Sequence, residues 1–202
     1  MTTDWFIKVF SSYYQGAVDY DGQTQLGEPH KTNTRANLFR YGAQIERNIF
    51  HKTNLFAGVQ AHHWERDIKD NNNISGLDET YDWIEYSIGF SADILAYQNN
   101  IFNIEAAYLL IRNATIDVDL TRVGLGSAAL DIGNDNGGRL NLQWKRINDN
   151  GLHYGAALFF EAWNFGRSNT KKTQGGALNV FVTEPKSETR NIGIKFNIEY
   201  SF

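Results

Sequence analysis

The last twelve residues, Asn191–Phe202 (NIGIKFNIEYSF), restrict the possible folds more than any other stretch of the chain. Ile192, Ile194, Phe196, Ile198, Tyr200 and Phe202 share one side of an extended strand, while Asn191, Gly193, Lys195, Asn197, Glu199 and Ser201 share the other. Side chains alternate faces along a strand, so one face is wholly apolar and the other wholly polar. Two environments accept that division. One is a soluble sheet with a dry face; the other is a barrel wall with lipid outside and a polar interior.

The same alternation recurs upstream. Phe39, Tyr41, Ala43 and Ile45 oppose Arg40, Gly42, Gln44 and Glu46; Leu55, Ala57, Val59 and Ala61 oppose Phe56, Gly58, Gln60 and His62. Ile84, Tyr86, Ile88 and Phe90 oppose Glu85, Ser87 and Gly89, and Phe102, Ile104, Ala106 and Tyr108 oppose Asn103, Glu105 and Ala107. Leu140, Leu142 and Trp144 oppose Arg139, Asn141, Gln143 and Lys145, followed by Tyr154 to Ala162 against His153 to Trp163. A first strand over 5–20 starts with Ile7 and Val9 against Lys8, then blurs near 11–15, where a bulge is expected. Strands are thus predicted near 35–49, 54–66, 83–93, 102–110, 139–145, 152–163 and 191–202 as well, with no helical period between them.

Connections alternate long and short. Residues 21–33, 67–80, 112–138 and 164–189 are long, whereas 50–53, 97–100 and 147–151 are short and rich in turn residues. Both prolines, Pro29 and Pro185, fall in the long ones. Within them Thr115–Leu120, Ala128–Ile132 and Ala177–Val182 still read as β-rich, which predicts a sheet protruding beyond the wall.

Strand pattern, loop asymmetry and a terminal aromatic resemble the small OmpA/OmpX-type outer-membrane barrels of bacteria. The resemblance implies an all-β fold: one antiparallel up-and-down transmembrane barrel of about eight strands spanning 1–202, both termini in the periplasm. It implies residence in the outer membrane of a Gram-negative bacterium, as a monomer among lipid and lipopolysaccharide. Met1–Asp4 carries no basic-then-apolar leader, so an exported chain would be the mature form with an initiator Met. The soluble alternative is a lipocalin-type barrel with the apolar faces inward.

Composition narrows the function classes. No apolar run approaches the ~20 residues of a spanning helix, and mean hydropathy is -0.46, which a barrel tolerates because only alternate residues meet lipid. A net charge of -4 gives nucleic acid no reason to bind. The absence of cysteine excludes disulfide scaffolds and thiolate metal sites.

Taken as inward-facing, the polar faces supply Glu46, Glu85, Glu105, Glu161 and Glu199 against Arg40, Arg139, Lys145 and Lys195, beside Lys8 and Asp93. The signs nearly balance, so a cross-linked polar plug is expected, centred on Glu105, Glu161, Arg139 and Lys195. His62, Trp64 and Arg66 share the inner face near the outer rim, and with Trp83 form a possible rim site. His63 and Glu65 point outward, where lipid A-modifying barrels place catalytic residues, but the neighbouring Asp82 and Ile84 offer no nucleophile. No cofactor or metal site is expected: His62 and His63 face opposite ways, and the Asp/Asn-rich stretches 67–79 and 131–137 lack EF-hand spacing. Arg167, Lys171, Lys172 and Arg190 are available to lipopolysaccharide phosphates.

The expected function is that of a non-enzymatic surface protein whose loops 112–138 and 164–189 contact an extracellular protein or the envelope. A narrow channel or lateral path for small hydrophobic solutes is the second reading, and a lipid A-modifying enzyme the third.

Overall fold

The computed structural model describes residues 5–23, 28–50, 52–71, 74–175 and 180–200. The alternating segments form antiparallel strands: β1 (Trp5–Gln23), β2 (Pro29–Phe50), β3 (Thr53–Ile68), β4 (Leu77–Tyr97), β5 (Asn100–Asp119), β6 (Gly126–Asp131), β7 (Asp135–Arg146), β8 (Leu152–Phe165), β9 (Thr170–Lys172), β10 (Gln174–Gly175), β11 (Phe181–Thr183) and β12 (Ser187–Tyr200). The main sheet follows the path β1-β2-β3-β4-β5-β7-β8-β12, with β6 and β10 added above it. Phe202, Ser201 and residues 177–179 of the predicted extended stretch lie outside the described residues, as does the side chain of Glu199.

This sheet is curled. Arg40 on β2 reaches Glu161 on β8 at 2.8 Å, Trp64 on β3 lies 6.1 Å from Trp163 on β8, and Arg139 on β7 meets Glu85 on β4. Strands that are far apart along the path therefore face one another across an interior. The ladder is also staggered. Following cross-strand partners from Lys8 leads through Gln44, Gly58, Ser87, Leu109, Gly137 and Trp163 to Thr189. Lys8 is near the foot of β1 and Thr189 near the head of β12, so the line climbs almost a strand length in one circuit. Closed barrels need a climb of that kind.

One expectation is corrected. A closed barrel requires β1 to pair with β12, and among the described residues no ladder joins them. Alternation reports which face of a strand is apolar but says nothing about which strand meets its edge. The predicted bulge in β1 is also absent: its register with β2 is unbroken from Trp5↔Arg47 to Gln23↔Pro29. The blur has another cause, aromatic residues on the inner face. The space a side chain would need at Gly16 and Gly22 is taken by the rings of Tyr14 and Tyr20, which lie back over those glycines. Pro29 is not in a loop but opens β2, a position where no ladder donor is required.

Strands β4 and β5 run well past their predicted ends. Along β5 the buried residues are Leu109 and Ile111, then Ala114, Ile116 and Val118. The phase changes at Asn113, whose φ of 52° is in the left-handed region that Asn tolerates. Opposite it the β4–β5 register slips between Asp82 and Ile84. This bulge lets β5 continue upward as a new sheet layer. A 3₁₀ turn at Thr121–Val123, closed by Gly124 at φ 76°, then returns the chain as β6 along β5. The predicted protruding sheet is present, with β10 on β6 and a separate β9–β11 hairpin.

The apolar residues divide into two populations. One faces outward from all eight long strands and is exposed, including Val9 (82%), Ile88 (62%), Leu142 (42%) and Phe196 (83%). The other is a buried layer at the upper end of the interior, Leu38, Trp64, Tyr81, Trp83, Trp163 and Phe165, continuous with Ile116, Val118, Leu130 and Val182 of the cap.

Candidate functional site

Below the aromatic layer the interior is polar, and alternate positions of β2, β3, β4, β5, β7 and β8 build it. Glu161 is the hub. Its carboxylate accepts from Arg40 at 2.8 Å and from Arg139 at 3.4 Å. Arg139 also lies 3.5 Å from Glu85 and 3.7 Å from Glu105. Glu85 stands 3.3 Å from His62 Nε2, which is 2.9 Å from the Gln60 amide. Asn141 donates to Glu105 at 2.9 Å. Glu85 and Glu161 are almost inaccessible to solvent, and burying carboxylates without such partners would be strongly unfavourable.

Arg40, Arg139, Glu85, Glu105 and Glu161 are thus brought together. Glu46 is separate, held by Lys8 at 2.5 Å and by the Gln44 amide at 2.8 Å. Lys195 lies over the Phe159 ring at 4.5 Å, beyond ion-pair distance of the described carboxylates but near enough to Glu161, Glu105, Arg40 and Arg139 to feel their charges. Lys145 sits lower on β7, opposite Ile101 and Gly155. Asp93 accepts from Asn103 at 3.0 Å near the same end.

His62, Trp64, Arg66 and Trp83 do cluster, but inside the closed layer rather than at an open rim. His62 stacks on Trp83 at 4.2 Å, and the Arg66 guanidinium lies 4.7 Å from the Trp64 ring. Arg40 also covers Trp163 at 5.4 Å, so cations and rings alternate through the layer. Above it, Arg66 pairs with Glu79 at 3.3 Å and donates to the Tyr81 hydroxyl, which donates to Glu79 at 3.2 Å. Sequence reasoning missed Glu79, Tyr81, Tyr20 and Glu184 here. Glu79 was hidden in a loop-like composition, and no local pattern connects Glu184 to Arg66.

On the outer face His63 is held by Asp82 at 2.8 Å and Glu65 at 3.6 Å, and Asn37 donates to Glu65 at 3.3 Å. The cross-strand neighbours of His63 are Phe39 and Asp82, neither of which carries a hydroxyl or thiol. Among the described residues no group of His, Asp and Glu could hold a metal ion. The carboxylates of the two Asp-rich stretches are engaged elsewhere: Arg122 bridges Asp67 and Asp78, and Asp131 pairs with Lys171 at 3.1 Å. Arg190 is likewise paired, with Glu188.

The paired charges and stacked rings brace the strands on which they sit against one another. No protein-family model and no curated protein sequence matches this chain.

Proposed function

We propose that this chain is a transmembrane β-barrel of a Gram-negative outer membrane, a non-enzymatic surface protein with a plugged interior and a folded extracellular cap. The observation that carries the reading is the inside-out distribution: exposed apolar side chains around the whole outer wall, paired charges and amides within. In water so much contiguous apolar surface would drive association; in a bilayer it is the required exterior. The lipocalin alternative needs the reverse orientation.

Closure belongs to the same reading. Unpaired backbone groups are severely penalised in hydrocarbon, and a ladder that climbs as this one does is the stagger that closure of β12 on β1 would need. On this reading the two strands would pair in a bilayer, and the long connections would extend on one side as a surface for a protein or envelope partner. The Arg40–Glu161–Arg139 cross-links and the aromatic layer above them favour a plug over a channel.

Protein refolded into lipid vesicles should run as a compact, fast-migrating band on unheated gels and shift on boiling, and should give no steady current in planar bilayers. A folded monomer that stays monodisperse in plain buffer would overturn the membrane reading. Large, steady, ion-selective currents would overturn the plug and favour the channel.

A further inference from the structure

The outer wall built by β1, β2 and β3 carries two shallow hollows, one above the other. The lower one is apolar. Its floor is Ser11, Ala43 and Ala61, and Tyr41, Val59 and Ile84 stand around it. It exists because small side chains share two adjacent rows of the ladder, Ser11–Tyr41–Ala61–Ile84 and Val9–Ala43–Val59, while the Tyr41 ring packs on Phe39 at 5.7 Å. The upper hollow is polar and lies between Gln15, Ala17, Asn33, Arg35 and Lys69. Arg35 stands six residues up β2 from Tyr41, about 20 Å along the strand, a span that a long-chain amphiphile covers. We propose that this part of the wall is a docking site for one phosphatidylethanolamine molecule, with an acyl chain in the lower hollow, its phosphate on Arg35 and its ammonium on Glu65.

The charges select the headgroup. Arg35 is exposed, and among the described residues it has no acidic partner. Asp67, directly opposite on β3, is taken by Lys69 and Arg122. Glu65 is the diagonal neighbour of Arg35 on the same face, roughly 7–8 Å away. Its contacts with the Asn37 amide at 3.3 Å and with His63 at 3.6 Å are long, and its carboxylate is half-exposed. Rows of the ladder climb from β1 toward β12, so Glu65, one strand on and one row down, is nearly level with Arg35 across the wall. A phosphate and an ammonium joined by a two-carbon link match that pair. A purely anionic headgroup would meet Glu65, Asp82 and Asp19 around the single free guanidinium. A choline headgroup has no N–H to donate to Glu65, whereas a primary ammonium makes a charge-assisted hydrogen bond there.

Between the two hollows Gln15 stands opposite Asn37, and its exposed amide has no partner among the described residues. It lies where the ester of the docked chain would pass and can donate to that carbonyl. The site rests on the membrane reading, since only a bilayer presents acyl chains to this wall, and goes further in assigning one stretch of it to one headgroup.

Native mass spectrometry of the protein refolded in detergent, its fold checked by the heat-dependent gel shift, reads the site. Phosphatidylethanolamine, phosphatidylcholine and phosphatidylglycerol with identical chains are added in equal amounts. One phosphatidylethanolamine should be retained about fivefold better than either competitor, the size expected of one exposed charge pair. Arg35→Gln and Glu65→Gln should each cut that preference to less than about twofold. Ala43→Leu, which fills the lower hollow, should weaken retention of all three lipids together. Equal retention of the three lipids, a preference for phosphatidylglycerol, or an unchanged preference in both Arg35→Gln and Glu65→Gln would overturn the site. So would an equal fall in Arg190→Gln, a cation on β12 already bound to Glu188. Any of these results from a gel-shifting, detergent-dependent protein leaves the membrane reading standing, whereas a monodisperse folded monomer in plain buffer ends both.

Discussion

Glu161→Gln is expected to destabilise the protein by about 3–5 kcal/mol, the largest loss of any single isosteric change in the interior. The substitution preserves shape but removes the one carboxylate that holds both Arg40 and Arg139. Arg139 keeps Glu85 and Glu105. Arg40 keeps no described acidic partner, and its charge lies against Trp163 in a largely desolvated space. Urea unfolding in vesicles, followed by tryptophan fluorescence, gives the loss. Adding Arg40→Met to Glu161→Gln should restore more than half of it, because the stranded charge is then gone. A loss below about 1 kcal/mol would mean that the interior is wet enough to screen these pairs.

Ile88→Lys, on the outer face, should lower stability in a bilayer by about 2–4 kcal/mol, the range for a lysine on the lipid side near mid-depth. Ile88 is mid-wall, between Ala57 and Tyr108. Asn37→Lys, two rows above Tyr41 on β2 and beside Glu65, should be close to neutral. The comparison isolates orientation: a water-facing wall would accept both lysines within about half a kcal/mol. Equal small effects at Ile88 and Asn37 in vesicles would therefore remove the lipid-facing assignment.

Much of this architecture is legible in the chain because alternation is local. Each residue from Phe39 to Glu46, or from Ile192 to Asn197, reports its own face, and short turns such as 97–100 report antiparallel neighbours. What was missed depends on a break in that local rule or on distance. The run of β5 past residue 110 was obscured because the bulge at Asn113 inverts the phase, so Ala114, Ile116 and Val118 read as a different pattern. The cap core joins residues of β5, β6 and β11, and no period spans them. In the interior, opposite charges were foreseeable as a set, but the partners were not. Arg40 finds Glu161 only because the sheet curls, and Lys195 approaches the same cluster while its ammonium lies over the Phe159 ring.

The free edges of β1 and β12 also bear on how the chain is made. Every other neighbour in the path β1 to β5 is the next strand in sequence, so those hairpins can form with short loop closures. In the closed barrel proposed above, joining the two ends would wait for nearly the whole chain, and such non-local pairing is intrinsically slow. Throughout that interval two unprotected edges are available to any extended segment nearby. Assembly of such a barrel would therefore have a late step at which crowding, a chaperone or a second nascent copy decides between a finished monomer and an edge-to-edge aggregate.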